Sequence, residues 1–202
     1  HSDINTDNGK CSICGKVCGA IVIKADGTAV GYDDLAAAFA EAGNNNGRTL
    51  KLFSDYDLSE DINVSGEFTI DLNKKYIHCL NSSKIIIGKN ATISLTGNAG
   101  SNISKLRVTG GTLTVLADCS VLLDEITVQE GKLNLYSGRV ESLHIEAGAD
   151  IALYGGYISG VFNDTDDTEN PILLRSLLAD GCAFATEDDN GIITVTDVYD
   201  ST

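Results

Sequence analysis

Short triplets with apolar first and third positions recur along the chain from residue 50 onward. One set is LKL at 50–52, IDL at 70–72, ISL at 93–95, LTV at 113–115, LNL at 133–135 and IAL at 151–153, with intervals of 20, 23, 20, 20 and 18 residues. A second set keeps step with it: INV at 62–64, III at 85–87, LRV at 106–108, ITV at 126–128 and LHI at 143–145, with intervals of 23, 21, 20 and 17. A weaker third set lies at 76–79, 120–122, 139–140 and 157–158. Period-two alternation inside a repeat near 20 residues predicts stacked strands, because no single unit can bury its apolar side alone. Three short strands per coil and about six coils specify an all-β fold, a right-handed parallel β-helix. An antiparallel sandwich also has short alternating strands. Two registers repeated over successive turns, and the scarcity of Asn-Gly and Asp-Gly hairpin pairs in 50–160, favour the β-helix.

Stacking predicts outward files of side chains. Thr49, Thr69, Thr92 and Thr112 fall in one, and Lys51, Asp71, Ser94, Thr114, Asn134 and Ala152 in the next. A threonine file raises the question of an ice-binding face. The adjoining charges and the ordinary β-propensity of threonine argue against one.

A solenoid needs closed ends. Residues 33–42 predict a capping helix: Asp33 or Asp34 at its N-terminus, Leu35, Ala36, Phe39 and Ala40 on one face, and Gly43 as its stop. Pro171 breaks the coil rhythm, and residues 171–202 read as a C-terminal cap: a short helical or irregular piece, then a hairpin. The division is therefore 1–20, a Cys-rich metal-binding appendage, and 21–202, a single β-helix domain.

Charge narrows the partners. The 202 residues carry a net charge of −15, which argues against nucleic acid, and no apolar run is long enough for membrane insertion. The chain begins at His1 without Met and reads as a piece of a longer protein, so its partners include other domains of that parent.

Three of the six cysteines crowd into GKCSICGKVC at 9–18. Cys-x-x-Cys-Gly is a zinc-knuckle spacing, with Cys11 and Cys14 as two thiolate donors, Cys18 as a third and His1 as a fourth around a tetrahedral structural zinc. A local disulfide leaving one thiol over, or three reduced thiols, are the alternatives. No thioredoxin-like pattern surrounds the pair. Cys79, Cys119 and Cys182 read as small buried apolar residues. The acidic loop at 163–170 offers oxygens for calcium but lacks an EF-hand spacing, so a solvated loop is favoured.

The run from Tyr32 to Asn73 (YDDLAAAFAEAGNNNGRTLKLFSDYDLSEDINVSGEFTIDLN) resembles the opening of parallel β-helix modules in surface proteins of Gram-positive gut bacteria. LLADGCAF at 177–184 resembles the segment closing such modules, and the Cys-rich stretch resembles their G-x-C-x-x-C-G-x-x-C repeats. The resemblance implies a secreted or cell-surface location and an adhesive or carbohydrate-related setting, with no known reaction. The expected function is a non-catalytic structural or adhesive module contacting glycans or a host surface. A polysaccharide lyase or hydrolase and a pure spacer are the alternatives. The outward file holding Asn63, Ile86, Arg107, Thr127 and His144 is the candidate ligand face, with Arg107, Thr127 and His144 as its polar members and no paired acid evident.

Overall fold

Where apolar and polar residues alternate the chain forms strands, and strands one repeat apart pair in parallel. The computed structural model describes residues 3–164, 174–187 and 193–197. In chain order the elements are β1 (Ala20–Ile23), β2 (Ala29–Tyr32), α1 (Leu35–Gly43), β3 (Arg48–Leu52), β4 (Tyr56–Leu58), β5 (Ile62–Asp71), β6 (Tyr76–Cys79), β7 (Ile85–Thr96) and β8 (Ser101–Thr109). There follow β9 (Thr112–Val115), β10 (Val121–Gln129), β11 (Lys132–Leu135), β12 (Arg139–Ile145), β13 (Asp150–Leu153), β14 (Gly156–Ile158), β15 (Val161–Asn163), a 3-10 helix (Leu174–Leu177), β16 (Cys182–Glu187) and β17 (Ile193–Asp197).

β3 to β15 wind a parallel β-solenoid of about six turns. Its first face stacks β3, the second halves of β5 and β7, then β9, β11 and β13. Its second stacks β4, β6, the starts of β8, β10 and β12, and β14. Its third stacks the starts of β5 and β7, the ends of β8, β10 and β12, and β15. The core is a set of aliphatic ladders. Leu50, Ile70, Leu95, Val115, Leu135 and Leu153 follow one another through six rungs, each 1% exposed or less. Burying such a side chain contributes about 1.5–3 kcal/mol, so the ladders dominate the favourable side of folding.

The register corrects the predicted files on the first face. Leu50 faces Ile70, but Ile70 faces Leu95, not Ile93. The true file is Thr49, Thr69, Ser94, Thr114, Asn134 and Ala152, while Thr92 and Thr112 stand beside Glu67, Lys132 and Asp150. The cause is the corner between the two halves of β7. Val64 pairs with Ile87 and Gly66 with Ala91, so residues 88–90 fill the place taken on β5 by Ser65 alone. The difference is two residues, an even number, so every side chain keeps its inward or outward sense while its partner changes.

The second face was the hardest to see in the pattern, and two buried serines explain why. Ser101 and Ser104 are both buried, Ser101 in the rung where the next coil presents Val121. Ser101 Oγ accepts from the Lys74 N–H at 3.0 Å, and Ser104 Oγ accepts from the Cys79 N–H at 2.7 Å. Each hydroxyl is therefore satisfied despite burial.

At the N-terminal end β1 runs antiparallel to both β2 and β3. This β1–β2 hairpin was not foreseen, although Ile21–Ile23 and Ala29–Gly31 flank an Asp26-Gly27 turn, in which Asp26 Oδ1 accepts from the Thr28 N–H at 2.9 Å. Helix α1 covers the same end. Asp34 is its N-cap, its carboxylate accepting from the Ala36 N–H at 3.0 Å. The buried stripe is Leu35, Ala38, Phe39 and Ala42, so Ala36 and Ala40 are exposed, contrary to the predicted face. Phe39 meets Phe68 edge-on at 6.1 Å between ring centres. At the other end Leu177 is buried, Leu178 bridges to Leu153, and β16 and β17 form the expected hairpin, with β17 antiparallel to β14. Pro171 lies outside the described residues.

Candidate functional site

The Cys-rich segment folds through its own backbone. Ile4 bridges to Cys11 and Lys10 to Val17, and Gly9 and Gly15 take positive φ at 68° and 73° to turn the chain. Gly9 sits directly on the Phe53 ring, where an added Cβ would come within 2.7 Å of it. The N–H groups of Cys14 and Ile13 point at the Cys11 sulfur and hold its thiol below the usual range. Cys11 is buried beside the exposed Cys14. Cys18 is turned elsewhere, into a satellite core with Ile21 and Ala29 and against the backbone of Gly31, and burial pushes its thiol up. Cys11 and Cys14 thus lie side by side, while Cys18 packs into the satellite core. Among the described residues no three His, Cys, Asp or Glu side chains gather closely enough to hold a metal. His1 lies outside the described residues.

The other cysteines are packed singly. Cys79 and Cys119 are buried in the main core and burial raises both thiols. Cys182 packs partly buried against the same core, near the Tyr154 carbonyl.

On the third face the register places Asn63, Ile86, Arg107, Thr127 and His144 in one outward file, and Phe162 extends it. The acids that the sequence reading lacked are Glu146, two residues past His144, and Asp164, two residues past Phe162. Arg107 Nη2 donates to Glu146 Oε1 at 2.9 Å and to Gln129 Oε1 at 2.9 Å. His144 Nδ1 lies 2.7 Å from Asp164 Oδ2, and its ring stacks on Phe162 with centres 4.7 Å apart. Outward residues recur every second position, so the file next to Arg107 and His144 was readable once the first was known. The Arg107 guanidinium and the His144 Nδ1 each face a carboxylate.

No family model, curated protein or solved structure matches the chain.

Elsewhere the solenoid exposes aromatic rings. Tyr76, Tyr136, Tyr157 and Phe162 are 47%, 41%, 53% and 46% exposed. Tyr136 stacks on Tyr154 at 4.1 Å, whereas among the described residues no ring stacks on Tyr76 or Tyr157. Beside the start of α1 a depression of about 300 Å³ is rimmed by Asp33, Asp34, Asp57, Glu60 and Asp61. Asp34 is engaged as a helix cap, and Asp33 and Asp61 pair with Lys16 and Lys84. Of the acidic loop considered for calcium, residues 165–170 lie outside the described residues.

Proposed function

We propose that this chain is a non-catalytic module of a secreted or cell-surface bacterial protein that adheres to carbohydrate through the side faces of its solenoid. The observation that carries this reading is the exposure of Tyr76, Tyr136, Tyr157 and Phe162 on a rigid sheet surface. Large rings left in water on a well-packed scaffold are the residues that contact surfaces use as anchors. The Cys-rich segment has a structural part, and zinc on Cys11 and Cys14 is its proposed ligand, with His1 and a Cys18 released from its packing on Gly31 as further donors.

Two assays test the reading. Binding to an array of oligosaccharides is the expected result. Release of unsaturated sugars from a polyuronate would overturn the non-catalytic part. Silence in both would leave a spacer.

A further inference from the structure

We infer that the second face of the solenoid is a groove for a neutral glycan chain lying along the solenoid axis. The inference deepens the adhesive reading and rests on it. Its floor is one outward file: Tyr76 beside Asn102, Asn102 beside Leu122, Leu122 beside Arg139, and Arg139 beside Tyr157. Four strand steps separate the two tyrosines, about 19 Å. Depressions of about 470 and 480 Å³ lie along this file, the first reaching Tyr76 and the second Tyr157, and Leu122 lines both. The floor is therefore continuous, with an aromatic ring toward each end and an aliphatic side chain at its middle.

The polar groups along it hold one another in place. Asn102 Nδ2 donates to Asp124 Oδ1 at 2.7 Å. Arg139 Nε donates to Glu141 Oε1 at 2.6 Å, and Arg139 Nη2 donates to Ser159 Oγ at 3.3 Å. The Arg139 contact holds the Glu141 carboxyl below the usual carboxylate range, so it stays an acceptor. An arginine has five N–H donors and a carboxylate about four acceptor positions, so these pairs keep capacity for a ligand. A ligand that presents hydroxyls at its edges and C–H surfaces at its ring faces meets both halves of this floor.

Other occupants fit less well. An extended peptide gains affinity by adding to a free sheet edge. Here β6, β8, β10 and β12 are each paired on both sides, so the face offers side chains and no backbone ladder. A polyanion would meet Asp55, Asp57, Asp124 and Glu141, against Arg139 and His78. The chain as a whole carries −15, which repels it further. A neutral sugar chain escapes that repulsion.

The test titrates the full chain with neutral hexasaccharides of glucose, xylose, mannose and galactose, and with a galacturonate oligomer. Wild type is compared with Tyr76→Ala, Tyr157→Ala and, as a control, the substitution of an exposed apolar side chain outside this file, Ile13→Ala. Both target rings are well exposed, so their removal leaves the core intact, and thermal melts check this. A neutral hexasaccharide is expected to bind with little dependence on salt, to weaken about tenfold or more in each target variant, and to bind unchanged in the control. Undiminished binding in both target variants would overturn the groove and leave the adhesive reading standing. Preference for the galacturonate oligomer, with affinity falling steeply as salt rises, would overturn the neutral ligand. Failure of every sugar to bind the wild type would sink both readings together.

Discussion

The Tyr56 hydroxyl is buried and, among the described residues, has no hydrogen-bond partner. It faces Gly19 so closely that a Cβ there would lie 2.3 Å from the oxygen. An unfolded tyrosine ionises near 10.0, whereas burial pushes this one up to about 12. Between those values the unfolded chain binds fewer protons than the folded one, so stability falls as pH rises through the window and levels off above it. Tyr56→Phe should equal or exceed wild type at neutral pH, by up to about 1 kcal/mol. It should also lose less stability across the alkaline window, and urea titrations at several pH values measure both effects. Identical alkaline profiles for the two chains would mean that the phenol is well solvated. The cysteines give a second test at this scale. Metal analysis is expected to return one zinc per chain, lost in Cys11→Ser and in Cys14→Ser. A metal-free wild type would leave the segment held by its backbone bonds and by Cys18 packed on Gly31.

At the scale of elements, the junction of α1 with the first coil rests on two glycines. Gly66 has φ of +83°, and a Cβ on it would lie 2.2 Å from the Gly43 carbonyl oxygen. The obstacle is backbone and cannot swing aside. Gly66→Ala should therefore lose about 2–3 kcal/mol in chemical denaturation. An unchanged midpoint would mean that helix and strand separate easily. The same region shows how far the sequence could be read. Helix α1 was legible because an acidic cap, an alanine-rich run and a terminal glycine all agree. Its buried face was misassigned by stepping one residue instead of three between apolar positions. The third-face triplets were read in their true register from the regular spacing of Ile62, Ile85, Leu106, Ile126 and Leu143. The first-face files were misread because an even shift leaves the alternation unchanged and so leaves no trace in the pattern. On the candidate site, Arg107, Thr127 and His144 were legible as one file, but Glu146 and Asp164 were passed over. The Tyr76–Tyr157 file was legible in part, as the weaker third set, and its missing rung is Asn102, which lies next to the buried Ser101 and not to an aliphatic on that side.

For the whole molecule, stability is shared between neighbouring coils, so the ends matter out of proportion to their size. β1 and α1 cover Leu50 and Leu52, both fully buried. Deleting residues 1–43 would uncover them and free one edge of β3. The shortened chain should form larger assemblies than the full chain as concentration rises, visible by light scattering. Equal size distributions would mean that the first coil protects its own edge.

Both ends of the solenoid carry a strand that runs against the coils: β1 on β3, and β17 on β14. β2 and β16 close the outer edges of β1 and β17, so on those faces a second copy meets a hairpin and not a coil strand. The winding cannot be continued across that junction. Several such modules in one polypeptide would stay separate, like beads on a string, and would not merge into a single rod. A protein built this way gains reach by counting beads, and each bead keeps its own complete set of side faces.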